Sequence, residues 1–397
     1  MSTMIETQSR TPRQVFIRGK AVACALGDKI EGIVAGLRRG AVQVDWLPLD
    51  LIEPDEKRPY YVMSGKAQNC WEDVPGRFFG VLLDMVERTI ADAGLSSEAV
   101  GGMGIFFGST AMNIPIFEEK FACADDGQWN YLSQNASGFG VIASRVARQF
   151  GIHGPCFTFC TACTSSANAL LYAASLIAQG ELERALVIGY DLYNHLGYYG
   201  FESLKLLSSS AYRPFDKRRD GVIMGEACGA VILDTSPLHP GDFRILGGAS
   251  ACDTYNVALH NTDGQVVARV MRQALDTIGL PLEAVAAIKA HATGSYPNDL
   301  TESNAIRQVF GNRVPPVTAL KPYVGHTVGA SGVVELILFS ESVRQGFLPA
   351  TPGFEIPDEE LDLIPLAQRM PVGAGVFMLN YFGFGGNCNT LMIGNEE

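Results

Sequence analysis

Three residues of this chain stand where local sequence favours side-chain chemistry. Cys163 lies between an apolar, β-branched run, Phe157 to Thr161, opened by Gly154-Pro155, and an Ala- and Leu-rich stretch from Thr164 to Gln179 that stops at Gly180. The run reads as a fully buried strand, and the stretch as a buried helix with glycine just past its end. A cysteine at a helix N-terminus meets unpaired N–H groups and partial positive charge, which favour its thiolate and predict a nucleophile near neutral pH. His291 follows the apolar run Val285 to Ala290, at a strand's C-terminal end, where α/β folds gather chemistry. His326, within LKPYVGHTVGASG, precedes the helical stretch Val333 to Leu338 and is the second half's near equivalent of the cysteine. Junctions of this kind that converge on one cleft would bring a thiol and two imidazoles together.

Each of these residues also has a plainer reading. Free cysteines are commonly small core hydrophobes. A metal site on Cys156, Cys160 and Cys163 is disfavoured, because strand alternation sends Cys160 and Cys163 to different faces and no fourth ligand lies nearby. Alternation also turns Cys160 away from the cleft, so it is not expected to compete with Cys163 as the nucleophile. The remaining histidines, His153, His195, His239 and His260, lack junction contexts and read as structural or surface residues. The glycine-rich stretch from Asn380 to Asn389 carries Phe382 and Phe384. It is either a tight turn feeding the last strand or a backbone that approaches a ligand, its N–H groups forming half of an oxyanion hole while the rings gate a channel.

The elements that must position these residues come in two similar sets. Val15 to Ala25 reads as the opening strand, after a mobile tail at residues 1–14. Phe79 to Ala93 has helical spacing and leads through Gly94-Leu95 to the strand-like Met103 to Ser109. Val270 to Ile278, Gly279-Leu280 and the run from Ala286 repeat that order 185 residues later, and Gly225 to Leu233 matches Gly385 to Ile393 at an offset of 160. The same order in both halves indicates an internal duplication. Turn formers from Thr235 to Asp242 place the boundary, giving an α/β chain with halves at 15–238 and 239–397.

Composition narrows the function classes. With 47% hydrophobic and 18% charged residues the chain is expected to hide much of its surface, in its core or against a partner subunit. A net charge of −12 argues against nonspecific nucleic-acid binding. Nine irregularly spaced cysteines suggest reduced thiols, and the polar N-terminus has no apolar signal core, so a soluble cytoplasmic protein is expected. No run is long enough to span a membrane.

Taken together, TACTSS (Thr161 to Ser166), RPFDKRRDG (Arg213 to Gly221), AHATGS (Ala290 to Ser295), LKPYVGHTVGASG (Leu320 to Gly332) and NYFGFGGN (Asn380 to Asn387) resemble the β-ketoacyl-acyl carrier protein synthases. The resemblance runs from about Val15 to Gly394. It implies the thiolase-like fold, two duplicated α/β halves in a layered αβαβα core. It implies that Cys163 accepts the acyl chain and that His291 and His326 handle decarboxylation of the extender. Lys321 and Glu335 match supporting residues. Phe384 matches the gating phenylalanine whose N–H, with that of Cys163, forms the oxyanion hole. Thr293, Ser295, Phe382 and Phe117 fall at substrate-pocket positions, and Lys205 at a carrier-docking position. No metal or redox cofactor is implied, since substrates arrive on the phosphopantetheine of an acyl carrier protein. A homodimer, or a heterodimer with a homologous ketosynthase-like subunit, is the expected assembly.

Several positions depart from the family's usual pattern: Ser295 replaces threonine, Tyr296 replaces proline, and FGFGGNCN stands for FGFGGTN. With the ring of Phe117 at the acyl pocket, these fit a specialised synthase of polyketide or aryl polyene chains. The competing readings are a pocket-shaping chain-length-factor subunit, a coenzyme A-dependent thiolase-like enzyme, and an acyl-binding scaffold with a dead site. Retention of the cysteine and both histidines argues against the first and third, and a second histidine within GHTVGASG against the second.

Overall fold

Near-continuous apolar runs in strands such as Arg184–Asp191, Ala227–Asp234 and Val376–Gly383 dictate a sheet covered on both faces, and the chain builds two such half-sheets. The computed structural model describes residues 12–49, 53–63, 73–122 and 139–395, so positions 1–11 of the expected tail lie outside the described residues. The first half runs β1 (Phe16–Ala23), α1 (Ile30–Arg39), a hairpin of β2 (Asp45–Leu49) and β3 (Glu53–Tyr60), α2 (Val74–Ala93), α3 (Ser97–Gly101), β4 (Gly104–Gly108) and α4 (Ile114–Ala122). It continues with α5 (Val141–Phe150), β5 (Cys156–Phe159), α6 (Ser165–Gln179), β6 (Arg184–Asp191), α7 (His195–Ser203) and β7 (Ala227–Asp234). The second half comprises β8 (Arg244–Cys252), α8 (Gln265–Ile278), β9 (Val285–Lys289), α9 (Tyr296–Phe310), β10 (Val317–Thr318), α10 (Lys321–Val324) and α11 (Ser331–Arg344). It ends with the short pair β11 (Phe347–Leu348) and β12 (Met370–Pro371), then β13 (Val376–Gly383) and β14 (Asn387–Gly394).

The strand order, β10-β9-β13-β14-β8-β1-β7-β6-β4-β5, is two copies of one five-strand pattern meeting at β8 and β1. In each copy three strands pair in parallel (β5, β4, β6 and β10, β9, β13) and two add antiparallel (β7, β1 and β14, β8). β7 and β14 begin and end at positions 160 apart, and Gly94 and Gly279, 185 apart, both end a helix in the left-handed conformation that glycine adopts without strain. The 185-residue offset then lapses, because five-residue α3 is replaced by a three-residue 3-10 turn and β9 starts sooner than β4 does.

Burial sorts the elements into five layers. Inward residues of both half-sheets pack on α6 and α11, while their outward residues pack under α2 and α5 in the first half and under α8 and α9 in the second. Alternation is strict: Phe106 faces the middle layer, and Ile105 and Phe107 the outer one. α6 and α11 cross so closely that a Cβ on Gly332 would sit 2.1 Å from the backbone nitrogen of Ala167.

One sequence expectation is corrected here. β5 is not fully buried: Cys156 is exposed and Phe157, Thr158 and Phe159 are half-buried, because among the described residues β5 is the sheet's outer strand and pairs with β4 alone. Its two phenylalanine rings pack on Phe106 and Tyr172 at the margin of the middle layer.

Candidate active site

The cysteine is placed by a chain reversal. After β5 the backbone turns through Ala162 at φ +51°, forms a 3-10 turn over Ala162–Thr164 and enters α6, whose end at left-handed Gly180 matches the sequence reading. Ala292, beside His291, and Val328, two residues after His326, share that unusual conformation. Left-handed non-glycine residues cost about 1–3 kcal/mol each and persist where surrounding structure over-determines them. The start of α11 aligns Gly329, not His326, with Cys163, so the histidine enters the cleft one turn earlier than the cysteine does in its own half.

The structure brings the three predicted residues together. Cys163 Sγ is 3.0 Å from His326 Nε2. The His291 and His326 rings lie 5.5 Å apart and nearly perpendicular. All three side chains are buried and line one cleft of about 440 Å³, with Thr293, Ser295, Phe382 and Phe384 also in its wall. The backbone N–H groups of Cys163 and Phe384 both favour negative charge on the sulfur. Gly383 makes that approach possible, since a Cβ there would lie 2.9 Å from the Cys163 nitrogen.

The predicted thiolate does not follow. Burial pushes the Cys163 thiol up to about 12, against the pull of Lys321 and the two N–H groups. Loss of hydration outweighs the helix field, so the resting group is S–H facing a neutral imidazole. Both histidines are held well below the usual imidazole range, first by burial and then by Lys321. Lys321 Nζ is 3.3 Å from His291 Nδ1 and 2.7 Å from Glu335 Oε1. An ammonium group can only donate, so Nδ1 accepts and the ring proton resides on Nε2. The hydroxyl of Ser331 lies 3.5 Å from His326 Nδ1 and can give or take a proton there.

Three supporting residues escaped the sequence reading. Lys289, a lone charge in an apolar strand, is fully buried, pairs with Glu335 Oε2 at 2.6 Å, donates to the Asn380 carbonyl at 2.6 Å, and is lowered to about 8 by burial. Glu302 on α9 accepts the N–H groups of His291 and Ala292 at 2.7 and 2.8 Å, fixing the turn that carries the histidine. Asp191, at the end of β6, accepts from Thr110, Ala111 and Gly329 N–H and from the Ser109 hydroxyl, joining the two halves, and burial raises it to about 6. A lone lysine in a strand pattern was a readable signal; the two carboxylates had none.

A second cavity of about 610 Å³ adjoins the cleft, lined largely by apolar side chains that include Ile114, Leu192, Tyr198 and Val328. Phe201 borders both spaces and stacks on Phe384 with ring centroids 5.2 Å apart. Phe117 sits half-buried on α4 and lines neither space; Ile114, one turn earlier, takes the position in the wall. Lys205 is exposed just past α7 at φ +55°. Cys160 is exposed, while Cys163 is buried. His153, His195 and His239 are exposed, but His260 is buried in the cleft wall.

Comparison with known proteins places this geometry. The chain is 35% identical to the 3-oxoacyl-[acyl-carrier-protein] synthase 2 of Synechocystis sp. over 63% of its own length and 64% of that protein's, so it spans less than two thirds of that relative. It is 29% identical to the 3-oxoacyl-[acyl-carrier-protein] synthase 2 of Coxiella burnetii, covering 96% of this chain and 98% of the other. Among solved structures, the ishigamide ketosynthase/chain length factor superposes with a TM-score of 0.83 at 25% identity, over 97% of this chain and all of that one. Residues 76–238 match the β-ketoacyl synthase N-terminal domain and residues 243–355 its C-terminal domain, and with the fold and the paired histidines beside a buried cysteine the chain belongs to the β-ketoacyl synthase family.

Proposed function

We propose that this chain is a β-ketoacyl-acyl carrier protein synthase, joining an acyl group held on Cys163 to a malonyl-carrier extender with loss of carbon dioxide. The observation that carries the reading is the 3.0 Å contact between Cys163 Sγ and His326 Nε2 in a cleft shared with His291. In the first step the thiol attacks an acyl-carrier thioester, His326 takes its proton, and the carrier leaves as a thiol once that proton is returned to it. The N–H groups of Cys163 and Phe384 hold the tetrahedral oxyanion. The acyl chain passes the Phe201–Phe384 pair into the second cavity.

In the second step the malonyl thioester enters the same cleft. His291, with its proton fixed on Nε2 by Lys321, donates to the thioester carbonyl, and His326 joins it once Ser331 supplies the Nδ1 side. Those bonds stabilise the enolate left when carbon dioxide departs. The enolate carbon attacks the acyl-cysteine, the Cys163 sulfur leaves as a thiolate that takes up one proton from solvent to restore the resting S–H, and a β-ketoacyl-carrier thioester results. Metal and redox cofactors have no part in this sequence, and both substrates come on phosphopantetheine arms. Lys205 is the carrier-docking candidate.

The open edge of β5 supports a paired assembly. Among the described residues nothing pairs with the outer edge of this parallel strand, and a second subunit would cover its backbone groups and half-buried aromatics. The partner is a second copy or a homologous ketosynthase-like subunit, the arrangement named for the ishigamide protein. We read the departures at Ser295, Tyr296 and Asn387-Cys388-Asn389 as those of a specialised polyketide or aryl polyene synthase whose halves divide near residue 238.

The test is intact-protein mass spectrometry after incubation with a panel of acyl-carrier thioesters and then malonyl-carrier protein, for wild type and Cys163→Ala. An acyl adduct that needs Cys163 and disappears on adding the extender supports the reading. A folded wild type that takes no acyl group from any donor, alone or with candidate partner chains, refutes it.

A further inference from the structure

One buried imidazole in the cleft wall has no role in the chemistry above. His260 is 4% exposed and lines the cleft with Cys163, His291 and His326. Phe382 lies between it and the reacting centre, 5.2 Å by ring centroid from His291 and 5.8 Å from His260. His260 is thus one aromatic ring along the wall from the catalytic pair. One edge of its ring faces away from the cleft: Nδ1 is 3.6 Å from Cys388 Sγ and 3.9 Å from Asp253 Oδ2, and neither Cys388 nor Asp253 lines the cleft. Asp253 is itself held by the N–H groups of Tyr255 and Asn261, at 3.1 and 2.9 Å. On the other edge, Nε2 has no hydrogen-bond partner among the described residues. Buried polar atoms are nearly always paired, and an exception in a functional cleft points to a group that arrives later.

Resting on the condensing reading, we propose that His260 is a positioning residue for the carrier arm, its Nε2 accepting a hydrogen bond from the arm's amide N–H nearest the thioester. The choice of ligand follows from the donor and acceptor count. The Cys388 thiol gives its one proton to the Gly386 carbonyl at 3.5 Å, so its sulfur accepts from Nδ1, and the Asp253 carboxylate beyond it also only accepts; the ring proton therefore belongs on Nδ1, and Nε2 is left as a lone pair. Burial keeps the ring neutral against the pull of Asp253 and of the Gly383 backbone, and the Cys388 thiol, pushed up to about 12, stays protonated. The malonyl head offers carbonyl and carboxylate oxygens, all acceptors, which suit His291 and not a lone pair. The pantetheine arm supplies amide N–H donors a few bonds from the sulfur.

The experiment measures protection of Cys163 from iodoacetamide by pantetheine and by an analogue whose amide N–H nearest the sulfur is replaced by an ester oxygen, in wild type, His260→Leu and His260→Gln. Wild type should be protected by pantetheine at about tenfold lower concentration than by the analogue, the scale of one hydrogen bond. His260→Leu should treat the two alike, and His260→Gln, whose side-chain oxygen accepts, should recover the preference. Thermal melting of each variant reports folding separately. A leucine variant that keeps the preference, or a wild type with none, overturns the proposal. The readout needs no turnover, so failure of the condensation reaction and failure of this assignment register in different assays.

Discussion

Lys321 meets Glu335 at 2.7 Å with neither side chain exposed, and the other oxygen of Glu335 holds Lys289 at 2.6 Å. Two ammonium groups against one carboxylate leave excess positive charge beneath the imidazoles, which is part of why both histidines resist protonation. Replacing Glu335 with Gln would leave both lysines buried without the carboxylate they contact, with the charge of Glu302 acting on them only from farther off. Breaking a buried pair from one side costs about 3–5 kcal/mol. Denaturant unfolding of Glu335→Gln should show a loss of that size, and a loss below about 1 kcal/mol would mean that the lysines are neutral in the folded protein.

The protonation states set the pH response of the nucleophile. The thiol is raised and both imidazoles are lowered, so near pH 7 the resting pair is neutral and only a small fraction of Cys163 is thiolate. That fraction grows tenfold per pH unit below the thiol's pKa. Alkylation of Cys163 by iodoacetamide should therefore climb with unit slope in log rate from pH 6 to 9 without levelling. A plateau near pH 7 would establish a thiolate–imidazolium pair and contradict the neutral resting state.

The junction residues were legible because their surroundings are local. A strand pattern, a turn and a helix pattern can be read within fifteen or so residues, and Cys163, His291 and His326 all stand at such junctions. The duplicated strands β7 and β14 were legible for the same reason. What the sequence withheld depends on residues far apart in the chain. Whether Phe157 and Phe159 face a core or an open edge depends on what lies beyond β5. The high thiol pKa depends on burial of Cys163, although its place ahead of the helix was correctly read. Asp191 and Glu302 act through backbone N–H groups of distant turns, and His260 enters the cleft on a loop with no repeating pattern. Phe117 was misplaced because a resemblance fixes the element and not which face of α4 lines the cavity.

Lys205 offers a test at the surface. It is exposed just past α7, whose Phe201 closes the inner cavity, and its backbone is left-handed, so its N–H is already committed to the Glu202 carbonyl. In the proposed docking role, its charge would attract the carrier through long-range electrostatics, and because the side chain is exposed its reversal leaves the packed core untouched. For Lys205→Glu the affinity for acyl-carrier protein should fall by about three- to tenfold at low salt, and the difference should shrink as salt rises. Equal affinity at low ionic strength removes Lys205 from the docking surface.

Gly383 tests whether the position of the nucleophile's backbone matters as much as its side chain. Gly383 is extended, at φ −152°, so alanine meets no conformational barrier there. The obstacle is space: a Cβ would lie 2.9 Å from the Cys163 nitrogen and 3.3 Å from the Thr164 nitrogen and the Thr161 oxygen. All three atoms are backbone in a turn already held at a strained φ by Ala162, so relief requires the turn to move away from β13. That movement takes the Cys163 and Phe384 N–H groups out of register with the oxyanion that the proposed reaction has them share. Misalignment of one such donor costs about 10²-fold in rate, and the overpacking itself about 1–3 kcal/mol in stability. Gly383→Ala should therefore remain folded, melt a few degrees lower, and acylate Cys163 about a hundredfold more slowly in a single-turnover mass measurement. Acylation at the wild-type rate would show that the turn adapts and that the tight approach of β13 serves packing alone.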